Sequence, residues 1–211
     1  MIAPWCTGYP GRIFGSVYAA QPPQRTAFAR ALAAHGLGVH IDVMADGEGL
    51  PAGVSLAELH DISSAPGSVD VHLIGSAAFA DDVLPDVLRA QPAKVILPWD
   101  AFDRARAETI RAAGAQAWIA LWREWAPDGA PPPWPAEPDG AVVMLIEPGT
   151  RDQCLPDRLN IAAACAAHVP VIVDGGVTED LAPLCVTAGA DMVVGRALLA
   201  GPPKQDLTER T

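Results

Sequence analysis

The segment GVHIDVMADG, residues 38–47, places His40, Asp42 and Met44 at every second position of an otherwise apolar run. Side chains two residues apart in a β-strand point to the same side, so these three are expected on one face of a strand. A carboxylate buried on that face without a partner would be strongly unfavourable. The sequence therefore predicts a partner for Asp42 within the folded protein.

Apolar runs typical of strands alternate with Ala- and Leu-rich runs typical of helices on both sides of this segment. The eight predicted strands are RIFGSVYA (12–19), GVHIDVM (38–44), VDVHLIG (69–75), AKVILP (93–98), AQAWIALW (115–122), AVVMLIEPG (141–149), VPVIVDGG (169–176) and ADMVVG (190–195). Several are apolar on both faces, as in a parallel sheet covered by helices. The alternation predicts an α/β fold, a (β/α)₈ TIM barrel, with an open doubly wound sheet as the alternative.

The fifth predicted unit departs from this alternation. The segment APDGAPPPWPAEPDG (126–140) contains six prolines and cannot form a regular helix. We expect a rigid Pro-rich loop in place of the fifth helix. The alternative, a linker between two domains, is less consistent with the strand that follows at once. We therefore expect a single TIM-barrel domain over residues 1–211.

The amino-acid composition limits the binding partners and the cellular compartment that we expect for the protein. The chain has 25 acidic and 14 basic residues, which would repel nucleic acid and anionic membranes overall. It contains neither an apolar run of about 18 residues nor a signal-peptide pattern, so we expect a cytoplasmic protein. No Cys-x-x-Cys spacing occurs, and buried free thiols are predicted rather than a disulfide or zinc site. The cysteines are Cys6, Cys154, Cys165 and Cys185.

Polar residues recur near the carboxyl ends of the predicted strands. His40 and Asp42 lie on the second strand, His72 on the third and Asp174 on the seventh. In a parallel barrel all four would lie at one mouth, where two imidazoles and two carboxylates suit Zn²⁺, Fe²⁺ or Mn²⁺. The alternatives are that His72 is a core histidine and that Asp174 caps a tight Gly-Gly turn.

Five motifs, in order along the chain, resemble those of the ribulose-phosphate 3-epimerase family. The His-x-Asp-x-Met run is followed, after one inserted alanine, by Asp-Gly. Motifs similar to Asp-x-His-Leu, Val-Met-x-Val-x-Pro-Gly, Val-Asp-Gly-Gly-Val and Ala-Gly-Ala-Asp follow. They correspond here to residues 40–47, 70–73, 143–149, 173–177 and 188–191.

The resemblance implies a metal-dependent ketose-phosphate 3-epimerase with a ketose or ketose phosphate as substrate. It implies a divalent metal, Zn, Fe or Mn, bound by His40, Asp42, His72 and Asp174. Asp42 and Asp174 would exchange acid and base roles, inverting the carbon beside the ketone by 1,1-proton transfer through an enediolate. Met44 and Met144 would line the substrate pocket. Ser16 would replace the family's first-strand serine, although its spacing to His40 differs by one residue.

The expected phosphate site departs from the family pattern. The loop after the sixth strand reads EPGTRDQCL (147–155), which retains Gly149 and Gln153 but has Thr150, Arg151 and Asp152 between them. A carboxylate at Asp152 would repel a phosphate. Gly175 and Gly176 are expected to offer N–H groups at a helix N-terminus.

After the eighth strand, Gly195-Arg196 resembles the phosphate site of the orotidine-phosphate decarboxylase and hexulose-phosphate synthase group. Arg196 could hold a phosphate by a forked pair of hydrogen bonds. The alternative is a solvated arginine at the start of the last helix.

Two other functions remain open from the sequence. A lyase of the same barrel superfamily would need an Asp-x-Lys-x-x-Asp array, which surrounds neither Lys94 nor Lys204. A non-catalytic sugar-phosphate-binding or regulatory relative is compatible with the altered loop. Four tryptophans near the fourth and fifth strands, Trp99, Trp118, Trp122 and Trp125, could reshape the pocket together with Arg123 and Glu124; the alternative is that they are core or interface residues. Barrels of this group commonly form homo-oligomers, but the sequence contains no interface motif.

Overall fold

Eight short strands, buried on both faces, form a closed barrel in which each strand is parallel to its two neighbours. The computed structural model describes residues 2–64, 67–128 and 130–199. The strands are β1 Ile13–Ser16, β2 Gly38–Met44, β3 Val69–Ile74, β4 Lys94–Pro98, β5 Gln116–Leu121, β6 Gly140–Met144, β7 Val171–Asp174 and β8 Ala190–Val194. The predicted barrel is confirmed, and the open-sheet alternative is wrong.

Helices cover the outside of the barrel. They are α1 Arg25–Ala34, α2 Leu56–Ser63, α3 Ala77–Arg89, α4 Arg104–Ala112, α5 Leu159–Ala166 and α6 Ala182–Thr187. Short 3₁₀ helices span Pro4–Gly8, Val17–Ala19, Pro22–Gln24, Asp46–Glu48, Trp99–Ala101, Pro156–Arg158 and Arg196–Leu198. The first strand is shorter than predicted because the chain turns at Val17. Among the described residues, no helix has the length and apolar composition needed to cross a bilayer.

The Pro-rich segment forms the loop predicted in place of a helix. Between β5 and β6 the described residues contain no helix. Trp134 packs against Trp99 with ring centroids 5.7 Å apart. Asp139 accepts hydrogen bonds from the backbone N–H of Ala117 at 2.7 Å and from Arg111 Nε at 3.0 Å. These contacts hold the loop against β5 and α4.

Alternation along the strands separates two cores. Residues that face outward pack under the helices, where Cys6, Cys165 and Cys185 are buried free thiols as predicted; Cys154 is only partly buried. Residues that face inward fill the barrel: Ile96, Trp118, Ala120, Val142, Met144, Ile172 and Val193. The apolar interior supports the polar residues above it at the mouth.

We predict that Gly140→Ala destabilises the barrel. A Cβ atom at Gly140 would lie 2.5 Å from the indole of Trp118, which fills the adjacent interior space. Overpacking of this kind should lower the free energy of unfolding by about 1–3 kcal/mol, measured by urea denaturation. Gly8→Ala is the control, because its Cβ would meet no heavy atom within 4 Å. Equal stability of the two variants would contradict the prediction.

Candidate metal centre

The parallel register brings the polar strand ends to one mouth of the barrel. Asp42 on β2 lies opposite His72 on β3, and Met144 on β6 lies opposite Asp174 on β7. Ser16 on β1 is opposite His40. Inward-facing residues at the carboxyl ends of parallel strands meet at the mouth, as the sequence led us to expect.

His40, Asp42, His72 and Asp174 form a compact cluster. His40 Nε2 lies 3.3 Å from Asp42 Oδ1 and 3.9 Å from Asp174 Oδ2. His72 Nδ1 lies 3.5 Å from Asp42 Oδ1 and 3.8 Å from Asp174 Oδ2. One nitrogen or oxygen from each residue lies within 4.8 Å of the other three. Two imidazole nitrogens and two carboxylate oxygens can thus face one small volume.

The nitrogen atoms of this cluster that lack hydrogen bonds are consistent with a bound cation. His40 Nε2 and His72 Nδ1 are buried without a hydrogen-bond partner in the part of the chain that the structure describes. A buried polar atom left without a partner is costly, and a divalent cation between the four residues would remove that cost. Mixed nitrogen and oxygen ligands suit zinc, iron or manganese. The residues present could therefore hold a divalent metal.

The buried charges shift one another's pKa values. Burial alone would lower the pKa of His40, but the nearby carboxylate of Asp42 and the charge of Asp174 outweigh it and raise the pKa to about 9. Burial acts to raise the pKa of Asp42, yet His40 and His72 hold it well below its usual range. Burial raises the pKa of Asp174; His40 opposes this shift and the charge of Asp42 adds to it.

Ser16 and Asp70 are polar residues next to the cluster on neighbouring strands, and Ser16 contacts it directly. Ser16 Oγ donates a hydrogen bond to Asp42 Oδ2 at 3.2 Å, which leaves Oδ1 facing the imidazoles. Asp70 is opposite His40 in the β2–β3 register and accepts a hydrogen bond from Lys94 Nζ at 2.8 Å. Sequence reasoning missed this ion pair; the only signal was a lysine that begins an apolar strand.

Arg158 is a second residue that the sequence did not single out. Its guanidinium donates to the backbone carbonyls of Met144 and Trp122 at the ends of β6 and β5. The same group lies 4.3 Å from the centre of the Trp122 ring. Arg158 thus ties together the ends of β5 and β6 at the rim of the mouth. No local pattern indicated this, because the contact depends on how the loop after β6 folds back.

The remaining predicted substrate residues are more widely spread. Met144 is buried inside the barrel, and Met44 is half-buried at the end of β2. Among the glycines, a Cβ at Gly149 would meet Leu50, at Gly175 Ile146, and at Gly176 Cys154, whereas Gly195 has open space. Arg196 is exposed at the start of the 3₁₀ helix Arg196–Leu198.

One expectation about this region was wrong. Gly175 and Gly176 do not lie at a helix N-terminus, because α6 begins only at Ala182. Pro183 explains the late start: proline lacks a backbone N–H and is tolerated only in the first turn of a helix. Both glycines have positive φ, so their N–H groups belong to a turn directly after β7.

A closed barrel with two histidines and two aspartates at its mouth defines a TIM-barrel protein with a candidate metal site. Residues 12–199 match the family model described as the ribulose-phosphate 3 epimerase family, and the chain belongs to that family. No protein among those with curated functions matches the sequence significantly.

Solved structures share the fold. Phosphoribosyl anthranilate isomerase from Thermus thermophilus is 15% identical, with 90% of each chain covered and a TM-score of 0.61. Tryptophan synthase from Mycobacterium tuberculosis is 18% identical, with 89% of this chain and 84% of that chain covered and a TM-score of 0.60. At these identities the likeness concerns the barrel alone.

We predict that metal binding by the protein strengthens as the pH rises. His40 carries a proton below its pKa of about 9, and Nε2 must lose this proton to bind a cation. Zn²⁺ affinity, measured by competition with a chelator, should rise about tenfold per pH unit from about pH 6 to pH 8 if one proton leaves. The exposed His60→Gln on α2 should leave this slope unchanged. A flat profile would contradict the prediction.

Proposed function

We propose that the protein is a divalent-metal-dependent ketose-phosphate 3-epimerase. The single observation that carries the proposal is the cluster of His40, His72, Asp42 and Asp174, in which His40 Nε2 and His72 Nδ1 have no hydrogen-bond partner among the described residues. Membership of an epimerase family supports the same class of reaction. The sequence resemblance implied the same four residues.

The proposed reaction inverts the carbon beside the ketone by moving one proton off and another on. The bound cation would polarise the ketone oxygen and so make the neighbouring C–H more acidic. Asp42 on β2 and Asp174 on β7 would then act from different strands: one carboxylate accepts the proton from one face, and the other donates a proton to the opposite face. The two acids act as a coupled pair.

Neighbouring residues would assist these two carboxylates. Ser16 restrains Asp42 by its hydrogen bond at 3.2 Å, so that one oxygen keeps a fixed direction. Met44 and Met144 would provide an apolar wall that keeps water from the intermediate.

The same proposal assigns the anionic end of the substrate to the β7–β8 side. Gly195 has open space around it, and the exposed Arg196 follows it directly. The N–H groups of Gly149, Gly175 and Gly176 would add donors. Asp152 opposes an anion in the loop after β6, so Arg196 becomes the main anchor in this arrangement.

The lyase alternative has less support. Lys94 lies at the first position of β4, and its ammonium is paired with Asp70 and lies 4.3 Å from the centre of the Phe14 ring. This is the end of the strand away from the mouth. Lys204 lies outside the described residues. A non-catalytic sugar-phosphate-binding relative would bind metal and ketose phosphate without exchanging the substrate proton.

We predict that Asp42→Asn and Asp174→Asn each reduce epimerisation of a ketose phosphate at least about a hundredfold. The measurement is epimer formation together with deuterium incorporation from D₂O at the carbon beside the ketone. Metal content and thermal unfolding are measured in parallel. Asp61→Asn, exposed on α2, is the matched control. If either variant still incorporated deuterium when started from each of the two epimers, one carboxylate would be reaching both faces of the reacting carbon. That result would contradict the two-acid mechanism.

We predict that Arg196→Ala raises KM for phosphorylated ketoses about tenfold to hundredfold, because charge-assisted hydrogen bonds are lost. KM for an unphosphorylated ketose should change little. Arg104→Ala, an exposed arginine on α4, controls for the change in net charge. An unaltered KM for the phosphorylated substrate would indicate another anion anchor or a neutral substrate.

A further inference from the structure

A cavity of about 120 Å³ adjoins the metal centre on the β3–β6 side of the mouth. It begins at His72 and Met144 and continues between Pro98 on β4 and Ala120 on β5. Trp99 and Trp122, which follow these two strands, also line it. Residues of β1, β7 and β8 do not line it.

The wall of this cavity is mostly apolar. Among the described residues that line it, two have titratable side chains, His72 and Glu124. The imidazole of His72 faces Asp42 at 3.5 Å, and Glu124 Oε2 accepts the backbone N–H of Trp122 at 2.6 Å. Arg158 lies against the outer ring of Trp122 and holds the carbonyl of Met144. The cavity is therefore held open by fixed contacts rather than made by loose side chains.

The barrel topology decides which part of a ketose would reach this cavity. With eight strands in a closed ring, β4 lies diametrically opposite β8. A substrate whose anionic end is held beside Arg196 after β8, and whose ketone and neighbouring hydroxyl face the metal centre, directs its ketone-side terminal carbon toward β4 and β5. This step rests on the function proposed above.

We propose that this cavity binds the ketone-side terminus of the substrate and selects an apolar group there, so that the substrate class is a 1-deoxyketose phosphate or a related α-hydroxyketone with a short alkyl end. An apolar protein cavity of about 150 Å³ holds a benzene molecule, so a cavity somewhat smaller accommodates a methyl or a short alkyl group. A terminal hydroxyl would lose its hydration among the proline, alanine, methionine and indole surfaces.

The test compares two probes that differ by one hydroxyl: D-xylulose 5-phosphate and 1-deoxy-D-xylulose 5-phosphate. Deuterium incorporation at C3 from D₂O is followed by NMR with the metal-loaded protein, and kcat/KM is determined for each probe. We expect kcat/KM to be at least about tenfold higher for the deoxy probe, within the range by which an apolar pocket discriminates against a hydroxyl.

A matched pair of variants ties this preference to the cavity. Ala120→Val narrows the cavity from β5 and should lower kcat/KM for the deoxy probe at least about tenfold while leaving Zn²⁺ affinity unchanged. Ala126→Val makes the same chemical change at an exposed position outside the cavity and should have no effect.

The outcomes separate this inference from the proposed function. Equal or faster exchange of D-xylulose 5-phosphate would overturn the apolar subsite and leave the epimerase proposal standing. Full activity of Ala120→Val on the deoxy probe would also overturn the subsite. Exchange of neither probe by metal-loaded protein would overturn the proposed function, and the subsite with it.

Discussion

The pairing of β2 with β3 is the constraint on which the candidate metal centre depends. The register sets Asp42 opposite His72, and their side chains face inward at the carboxyl ends of both strands. A slip of one residue in either strand would turn its polar side chains outward under the helices. The apolar residues that alternate with them, Ile41 and Val43, would then lose their places in the outer core. The hydrophobic pattern and the metal cluster therefore require the same register.

The ion pair between the buried Asp70 and the partly buried Lys94 joins β3 to β4 beside this register. A buried ion pair gains little net stability, because both ions lose their hydration. Its position gives it another role: Asp70 is next to His40 across β2–β3 and to Lys94 across β3–β4. Burial raises the pKa of Asp70 despite the opposing charges of Lys94 and His40. One oxygen of Asp70 and His40 Nδ1 both lack a hydrogen-bond partner among the described residues, and the charge of Asp70 acts to raise the pKa of His40.

Much of the fold could be predicted because it follows from local patterns. Alternating apolar strands and helices indicated the barrel, and six prolines excluded the fifth helix. The metal cluster could be predicted because the carboxyl ends of parallel strands lie at the same end of a barrel. That rule alone brings together His40, Asp42, His72 and Asp174. What escaped prediction depends on contacts between distant segments. Arg158 reaches back to the carbonyls of β5 and β6, and no periodicity encodes that path. The late start of α6 depends on Pro183, whose effect outweighed the expectation of a helix directly after Gly176.

The distribution of residues among the strands explains how chemistry and substrate choice can be separated in this barrel. The cluster uses β2, β3 and β7, the proposed anion anchor follows β8, and the cavity is lined from β3 to β6 and the segments that follow these strands, so β3 alone serves both the cluster and the cavity. Each strand is fixed by hydrogen bonds to its neighbours, so side chains at one strand end can change without moving those at another. Trp99 and Trp122 directly follow β4 and β5, two strands that contribute nothing to the cluster. Aromatic residues there can alter which group fits beside the metal centre while His72, on the adjacent strand, keeps its direction toward Asp42.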